Sequence, residues 1–241
     1  MLQVARVGPC WPIAAQEGDR FVDVIQALRA RRSVRAFLPQ MPAAEQVQAL
    51  LQDAAQAASG GNMQPWRVVA LAGEPLRQLL AEVAAAEAED GANNVSYPPN
   101  LWEPYRTRRF ANGEDLYRTL GIGREDKAAR LEQLAKNGEF FGAPVGVFVC
   151  VEERMGYPQW ADLGIYLQSL MLLAVEQGLA TCPQGFWRRY SQTLAQSLAL
   201  PDGYRVAFGV ALGYEDTQAP INTLRASRAP WPEWGELRGF A

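Results

Sequence analysis

The run Arg31-Arg32-Ser33-Val34-Arg35 puts three guanidinium groups and a hydroxyl into five consecutive residues, between two stretches of helical patterning. Arg stays charged, and its planar fork of donors matches the oxygens of a phosphate. A Ser hydroxyl can donate to the same anion. In an extended chain Arg31, Ser33 and Arg35 point one way, and Arg32 and Val34 the other. Two forks and a hydroxyl then share one side of a small target. The competing reading is a solvated helix end, where cations favour the helix dipole.

Around this knot the pattern is that of a mixed α and β chain. Asp19 is placed to cap a helix running to about Arg31, with Phe21, Val24, Ile25 and Leu28 as its inward stripe. A second helix begins near Pro42, with Val47, Leu50, Leu51, Ala54, Ala55 and Ala58 at helical spacing. Ser59-Gly60-Gly61-Asn62-Met63-Gln64-Pro65-Trp66 reads as a loop, and Arg67 to Ala72 as a buried strand. Glu74 to about Glu89 is expected to be helical. Residues 90 to 113 lack periodicity and carry Tyr97, Trp102, Tyr105 and a cluster of Arg, the composition of a lid or binding loop. Two short exposed helices are expected over Glu114 to Gly121 and Arg124 to Asn137.

Val145 to Val151 is the clearest central strand. A helix apolar over much of its circumference follows over Ala161 to Gln177, stopped by Gly178, and belongs in the core or a subunit interface. Thr181 to Phe186 reads as a short strand and turn. Ser191 is placed to cap a helix with Leu194 and Leu198 inward, and Arg205 to Gly213 as a last strand. The tail from Glu215 is Pro-rich and aromatic, with Trp231, Trp234 and Phe240, and needs a surface to pack on.

Composition narrows the chemistry. The 241 residues have a formal net charge of -3, so the basic knot is local and the chain as a whole is not a polyanion binder. There is no His, which excludes a Ser-His-Asp triad, a Cys-His pair and any His-ligated metal site. Cys10, Cys150 and Cys182 are odd in number and form no CxxC, which fits a reducing cytoplasm better than a disulfide framework. The apolar run Leu170 to Val175 is too short for a membrane span, and the N-terminal stretch is not a convincing signal peptide.

The order of these segments carries a resemblance. The basic knot, the loop from Ser59 to Trp66, Asp162-Leu163-Gly164 with Gln168, Gly178 to Gly185, Gly209 to Tyr214 and Arg225 to Pro230 follow one another as in the FMN-dependent nitroreductase family. Tyr97 to Tyr105 resembles the subgroup of nitrobenzoate and nitrobenzene reductases. The resemblance implies one α+β domain over 1–241: a mostly antiparallel sheet flanked by helices, in an intertwined homodimer. Residues 90–141 would be a lid on the substrate side, and 215–241 a tail packing on the partner subunit.

It also implies a site. Arg31, Ser33 and Arg35 would meet the FMN phosphate and ribityl chain, with Arg32 close by, and Arg228 and Arg225 would close from the far end of the chain. Relatives often carry a Lys where this chain has Ala226, two residues before Arg228. Ser59, Gly60, Asn62 and Gln64 would approach from the other subunit. Pro183, Gln184 and Gly185 would run along the flavin edge, where a backbone N–H can donate to N5. Tyr105, Phe110, Phe140 and Phe141 are candidates to line the substrate side, or else packing residues of the lid. Trp66 reads as core rather than a ring platform, and Cys182 as a small buried spacer. Arg106, Arg108 and Arg109 would attract an anionic aromatic, or else form a solvated face. No side chain is assigned as a nucleophile, and no metal ligand is named.

The implied activity is NAD(P)H-dependent reduction of nitroaromatic or quinone-type acceptors in a ping-pong cycle. Enone reduction, reductive dehalogenation or other flavin chemistry on the same fold remains open at this point, as does a non-catalytic flavin carrier. A nucleic-acid module is disfavoured by the acidic balance.

Overall fold

The computed structural model describes residues 23–89 and 97–240. The proposed Asp19 cap, Phe21, Cys10 and the lead-in lie outside them. Seven α-helices and four strands are described in the order α1 (Val24–Ala30), α2 (Ala44–Ala54), β1 (Arg67–Ala72), α3 (Gly73–Ala85), α4 (Tyr105–Thr119), α5 (Lys127–Ala135), β2 (Val145–Glu152), α6 (Tyr157–Glu176), β3 (Ala180–Gln184), α7 (Ser191–Ser197) and β4 (Tyr204–Gly213). The strands form one sheet in the order β1-β2-β4-β3, and every pairing is antiparallel. The fold is α+β, as the resemblance implied.

Both faces of the sheet are covered, so its central strands are apolar on both sides. Along β2, Val145, Val147, Val149 and Val151 face α2 and α6, meeting Leu50, Leu163, Tyr166 and Leu170. Phe148 and Cys150 face the opposite way, toward α3 and α7, meeting Leu76, Leu79 and Leu194. On β4, Ala207 and Leu212 share one face although their numbers differ in parity. An irregularity between Val149 and Cys150 shifts the register there, and one extra residue reverses which side chains face inward.

On the second face Phe140 stacks on Trp187 with ring centroids 4.3 Å apart. Two strand glycines make room for the pair. A Cβ on Gly146 would come 2.5 Å from the Phe140 ring, and one on Gly209 would come 2.2 Å from Trp187.

Several expectations change here. Strand β1 has the expected bounds, yet it is half-exposed, because among the described residues it forms the sheet edge, with β2 as its one strand neighbour. Val24, Ile25 and Leu28 of α1 do not turn inward; they are 66%, 54% and 49% exposed, and Ala27 alone in the helix is buried. Asp23 supplies the cap, accepting from the Ile25 N–H at 2.8 Å. Ala58 falls beyond the end of α2 and is exposed. Ser191 opens α7 as its first residue, with Tyr190 in the cap position. The aperiodic stretch contains the start of α4, a helix with no buried residue, which therefore has no inward stripe for the sequence to display. Gly178 follows α6 in the left-handed conformation, as a helix stop should.

Candidate functional site: an arginine cavity and a glycine loop

The basic knot is extended and runs beside β3. Ser33 forms a parallel bridge with Thr181, and the Val34 N–H donates to the Thr181 carbonyl at 3.0 Å. The alternation read from the sequence holds. Val34 is buried in the core, and Arg32 turns to the far side, where it pairs with Glu215. Arg31, Ser33 and Arg35 line a cavity of about 400 Å³, joined by Arg29, Arg225 and Arg228, with Asn112 of α4 at its wall and Arg32 at its border.

A residue not singled out in the sequence holds this arrangement. Asn222 is buried, and its Oδ1 accepts from the Arg35 backbone N–H at 2.8 Å. Its Nδ2 donates to the carbonyls of Ala36 and Asp216, both at 2.9 Å. One amide thus ties the knot to the segment after β4. No local pattern marks this Asn, because two of its three partners, Arg35 and Ala36, lie most of the chain away.

The cavity is electrically unbalanced. Burial, and next the positive charge of Arg228, hold Arg31 below the ordinary guanidinium value. Among the described residues no carboxylate pairs with Arg29, Arg31, Arg35, Arg225 or Arg228. Arg225 instead donates to the carbonyls of Asn222 and Leu224, and Arg228 to those of Ala226 and Ser227. Behind the knot, burial pushes the Cys182 thiol up to about 11, with Arg35, the Ser33 hydroxyl and Arg31 pulling the other way. It is a neutral spacer.

The glycine loop stands elsewhere. Gly60–Asn62 forms a single 3-10 turn, exposed to solvent. Gly61, Asn62 and Gln64 all take left-handed backbone angles, with φ of 58°, 55° and 48°. The Ser59 Oγ accepts from the Gln64 N–H at 3.0 Å, and the Gln64 side-chain amide donates to the Asn62 carbonyl at 3.3 Å. The Gly60 N–H donates to both carboxylate oxygens of Asp162 on α6, each at 3.2 Å. Trp66, just beyond, stacks on Tyr166 at 5.2 Å and is part of the core, as read.

At the end of β3, Pro183 and Gln184 pair with Val210 and Gly209. The Gln184 side chain is already engaged: its Nε2 donates to the Asn137 carbonyl at 2.8 Å, and its Oε1 accepts from Trp187 Nε1 at 3.2 Å. Any contact from Gln184 to a ligand therefore comes from its backbone. Phe140, a candidate wall residue, is fully buried between Phe148 and Trp187 and is a core residue. Phe141 is buried, with the Arg35 guanidinium 6.0 Å from its ring centroid. Tyr105 and Phe110 sit on α4, half-exposed, the first edge-on to Trp102 and the second beneath Arg124. Arg106 and Arg108 are paired with Glu103 and Glu233, while Arg109 lies over Tyr97.

A sheet covered on both faces, an arginine cavity at one edge strand and a glycine loop before the other together define an α+β protein with a cavity suited in charge to an anion. Comparison with known proteins gives the class a family. Residues 28–214 match the model of the Nitroreductase family. The chain is 34% identical over 219 residues to a 4-nitrobenzoate reductase of Pseudomonas putida, covering 90% of this chain and 96% of that protein. A solved FMN- and NADPH-dependent nitroreductase, NfnB from Sphigopyxis sp. strain HMH, is 40% identical with a TM-score of 0.86, covering 91% of this chain and 100% of the other. NfnB from Mycobacterium smegmatis, solved in complex with NADPH, is 28% identical with a TM-score of 0.82, covering 90% of this chain and all of that one. The chain belongs to the nitroreductase family.

The cavity suits the phosphate end of FMN on its own chemistry. Two guanidinium groups face each other there without an acidic partner among the described residues, and a phosphate dianion would relieve that repulsion. Among the described residues no helix is long and apolar enough to cross a membrane.

Proposed function

We propose that this chain is an FMN-dependent NAD(P)H oxidoreductase that reduces nitroaromatic or quinone-type acceptors, the two substrates using one site in turn. The observation that carries this reading is the cavity in which Arg31 faces Arg228, with the knot bridged to Thr181 of β3. Arg31, Ser33, Arg35 and Arg228 would hold the phosphate, with Arg225 swinging in where relatives carry a Lys, and Arg32 acting through its pair with Glu215. When bound, FMN supplies the hydride chemistry, accepting from NAD(P)H and passing electrons to the acceptor. The backbone of Pro183 to Gly185 would edge the ring, and the arginine field favours the negative charge that accompanies reduction. Tyr105 and Phe110 offer aromatic surface for a planar acceptor, while Phe141 is buried beside Arg35 and could only back such a site.

The working unit would be a homodimer. Within one chain the glycine loop is tied to Asp162, whereas the knot packs beside Val175 and Gly178 at the other end of α6. At the rise of a helix those anchors stand roughly 20 Å apart along the axis. A two-fold axis would bring the loop of one subunit to the knot of its partner. The exposed Val24, Ile25 and Leu28 of α1, with Ile165 of α6, support such an interface, and Trp234, Leu237 and Phe240 support a tail that packs on the partner. The thiols of Cys150 and Cys182, both free and buried, support a cytoplasmic setting.

An anaerobic visible spectrum of the purified protein, recorded before and after NADH and then NADPH, tests the reading. A flavin spectrum that bleaches with either nucleotide is expected. Absence of a flavin spectrum even after adding FMN would overturn it.

A further inference from the structure

Asp162 is a buried acid in the second turn of α6, one residue before Leu163, which packs on the sheet. Its carboxylate accepts one donor among the described residues, the Gly60 N–H, shared between both oxygens at 3.2 Å. A buried carboxylate with a single amide partner is a costly choice for a fold that could place an apolar residue there. The segment it holds is itself strained. Asn62 and Gln64 are non-glycine residues at φ of 55° and 48°, and Gln64 precedes Pro65, which disfavours helical angles at that position. Strained conformations persist where surrounding contacts over-determine them. The bonds from Ser59 Oγ and the Gln64 side chain are exposed and stay within the loop, so they compete with water and fix nothing to the core. The link to Asp162 ties the loop to a core helix.

We propose that Asp162 is a positioning residue for the cofactor: it fixes the Gly60 amide, and through it the strained Ser59–Gln64 loop, in the shape that receives the flavin. The proposal rests on the reading of that loop as half of the flavin site. It requires no contact between Asp162 and FMN.

Three proteins test it: wild type, Asp162→Ala and Asp162→Asn. Amide hydrogen exchange of residues 59–64 is measured without FMN, and FMN affinity is measured by quenching of flavin fluorescence, with thermal melting as a control on the fold. Asp162→Ala is expected to exchange faster across the loop and to bind FMN roughly tenfold to a hundredfold more weakly, the range for losing a hydrogen bond to a charged acceptor. Asp162→Asn keeps an acceptor at Oδ1 and is expected to recover most of both. Unchanged exchange and affinity in Asp162→Ala would overturn the proposal, as would an Asp162→Asn protein no better than Asp162→Ala. If Asp162→Ala does not fold, Asp162→Asn decides alone: exchange and affinity near those of wild type support the anchor, and loss of both overturns it. A wild-type protein that binds no FMN would refute the proposed function, while the exchange measurements would still judge the anchor.

Discussion

The arginine knot and the glycine loop, the two regions argued to share one cofactor, are built in opposite ways. The knot is finished within the chain. It is bridged to β3 at Thr181, tied to Asn222, and faced by Arg228 from near the other end of the sequence. The loop is almost entirely local: its bonds run between Ser59, Asn62 and Gln64, and among the described residues its ties to α6 are the buried Asp162 and an exposed contact from Gln159 to Met63. One half is a charged cavity that long-range contacts hold before any ligand arrives. The other is an exposed, strained turn at the far end of α6, which in the proposed dimer would face a second chain. Charge must be preorganised against its own repulsion, which demands a rigid frame. A backbone that approaches a ring needs only the right angles and one mooring.

The sharpest way to break this contrast is complementation. A chain carrying Arg31→Ala with Arg35→Ala should lose FMN binding, and so should a chain with a bulky residue at Gly60. Mixed and refolded together, they should regain about a quarter of the wild-type sites, because each mixed dimer has one intact site. Flavin titration of the mixture reads this directly, and no recovery would place both halves of the site in one chain.

Next in size, Asn222→Ala should unfold more easily by about 2–4 kcal/mol in denaturant melts, because it leaves the Arg35 amide and two carbonyls without their partner. Arg31→Ala should weaken FMN binding by about 1.5–3 kcal/mol while leaving the melting temperature near wild type, since its charge opposes burial rather than supporting it. Affinity equal to wild type would remove Arg31 from the site.

Cys182 adds a pH test behind the knot. Its thiol is raised in the folded state to about 11 from an ordinary value of 9.0, so the unfolded chain releases the proton first. The associated stability is full below pH 9 and is lost as pH rises through 11, amounting to about 2 kcal/mol at the end of that window. Cys182→Ala should make this part of an alkaline denaturation curve shallower, to about half its slope from the thiols, because Cys150, raised to about 12 from the same 9.0, loses stability over the same window and on beyond it. The smallest effect belongs to the loop. Ser59→Ala removes one exposed hydrogen bond and should cost about 0.5–1.5 kcal/mol of FMN affinity, with no change in melting. A stability loss as large as that of Asn222→Ala would erase the contrast.

Much was readable from the chain because the physics is local. Strand β1 took the expected bounds, and β2 and β4 came within a residue of theirs, because runs of β-branched residues bounded by Gly and Pro carry their own signal. The alternation of the knot followed from strand geometry alone, and it separated Arg32 from Arg31 and Arg35 correctly. The absence of His limited the chemistry before any fold was known.

What the sequence did not decide depends on partners far away in the chain. The apolar face of α1 looked like a core stripe and is exposed, since periodicity reports amphipathicity and not what covers the apolar side. Helix α4 has no buried face and so left no period to read. Phe140 and Phe141 are neighbours of one chemistry, yet the stack on Trp187 makes the first a core residue while the second meets Arg35. Asn222 grips the knot and Asp162 the glycine loop, but a single polar residue reveals such partners only when they are in place. Sequence determined the elements, the alternation and the class of chemistry, all properties of near neighbours. Tertiary structure decided which polar residues are buried, what they grip and which arginines face one another, because burial and charge pairing depend on segments that only folding brings together.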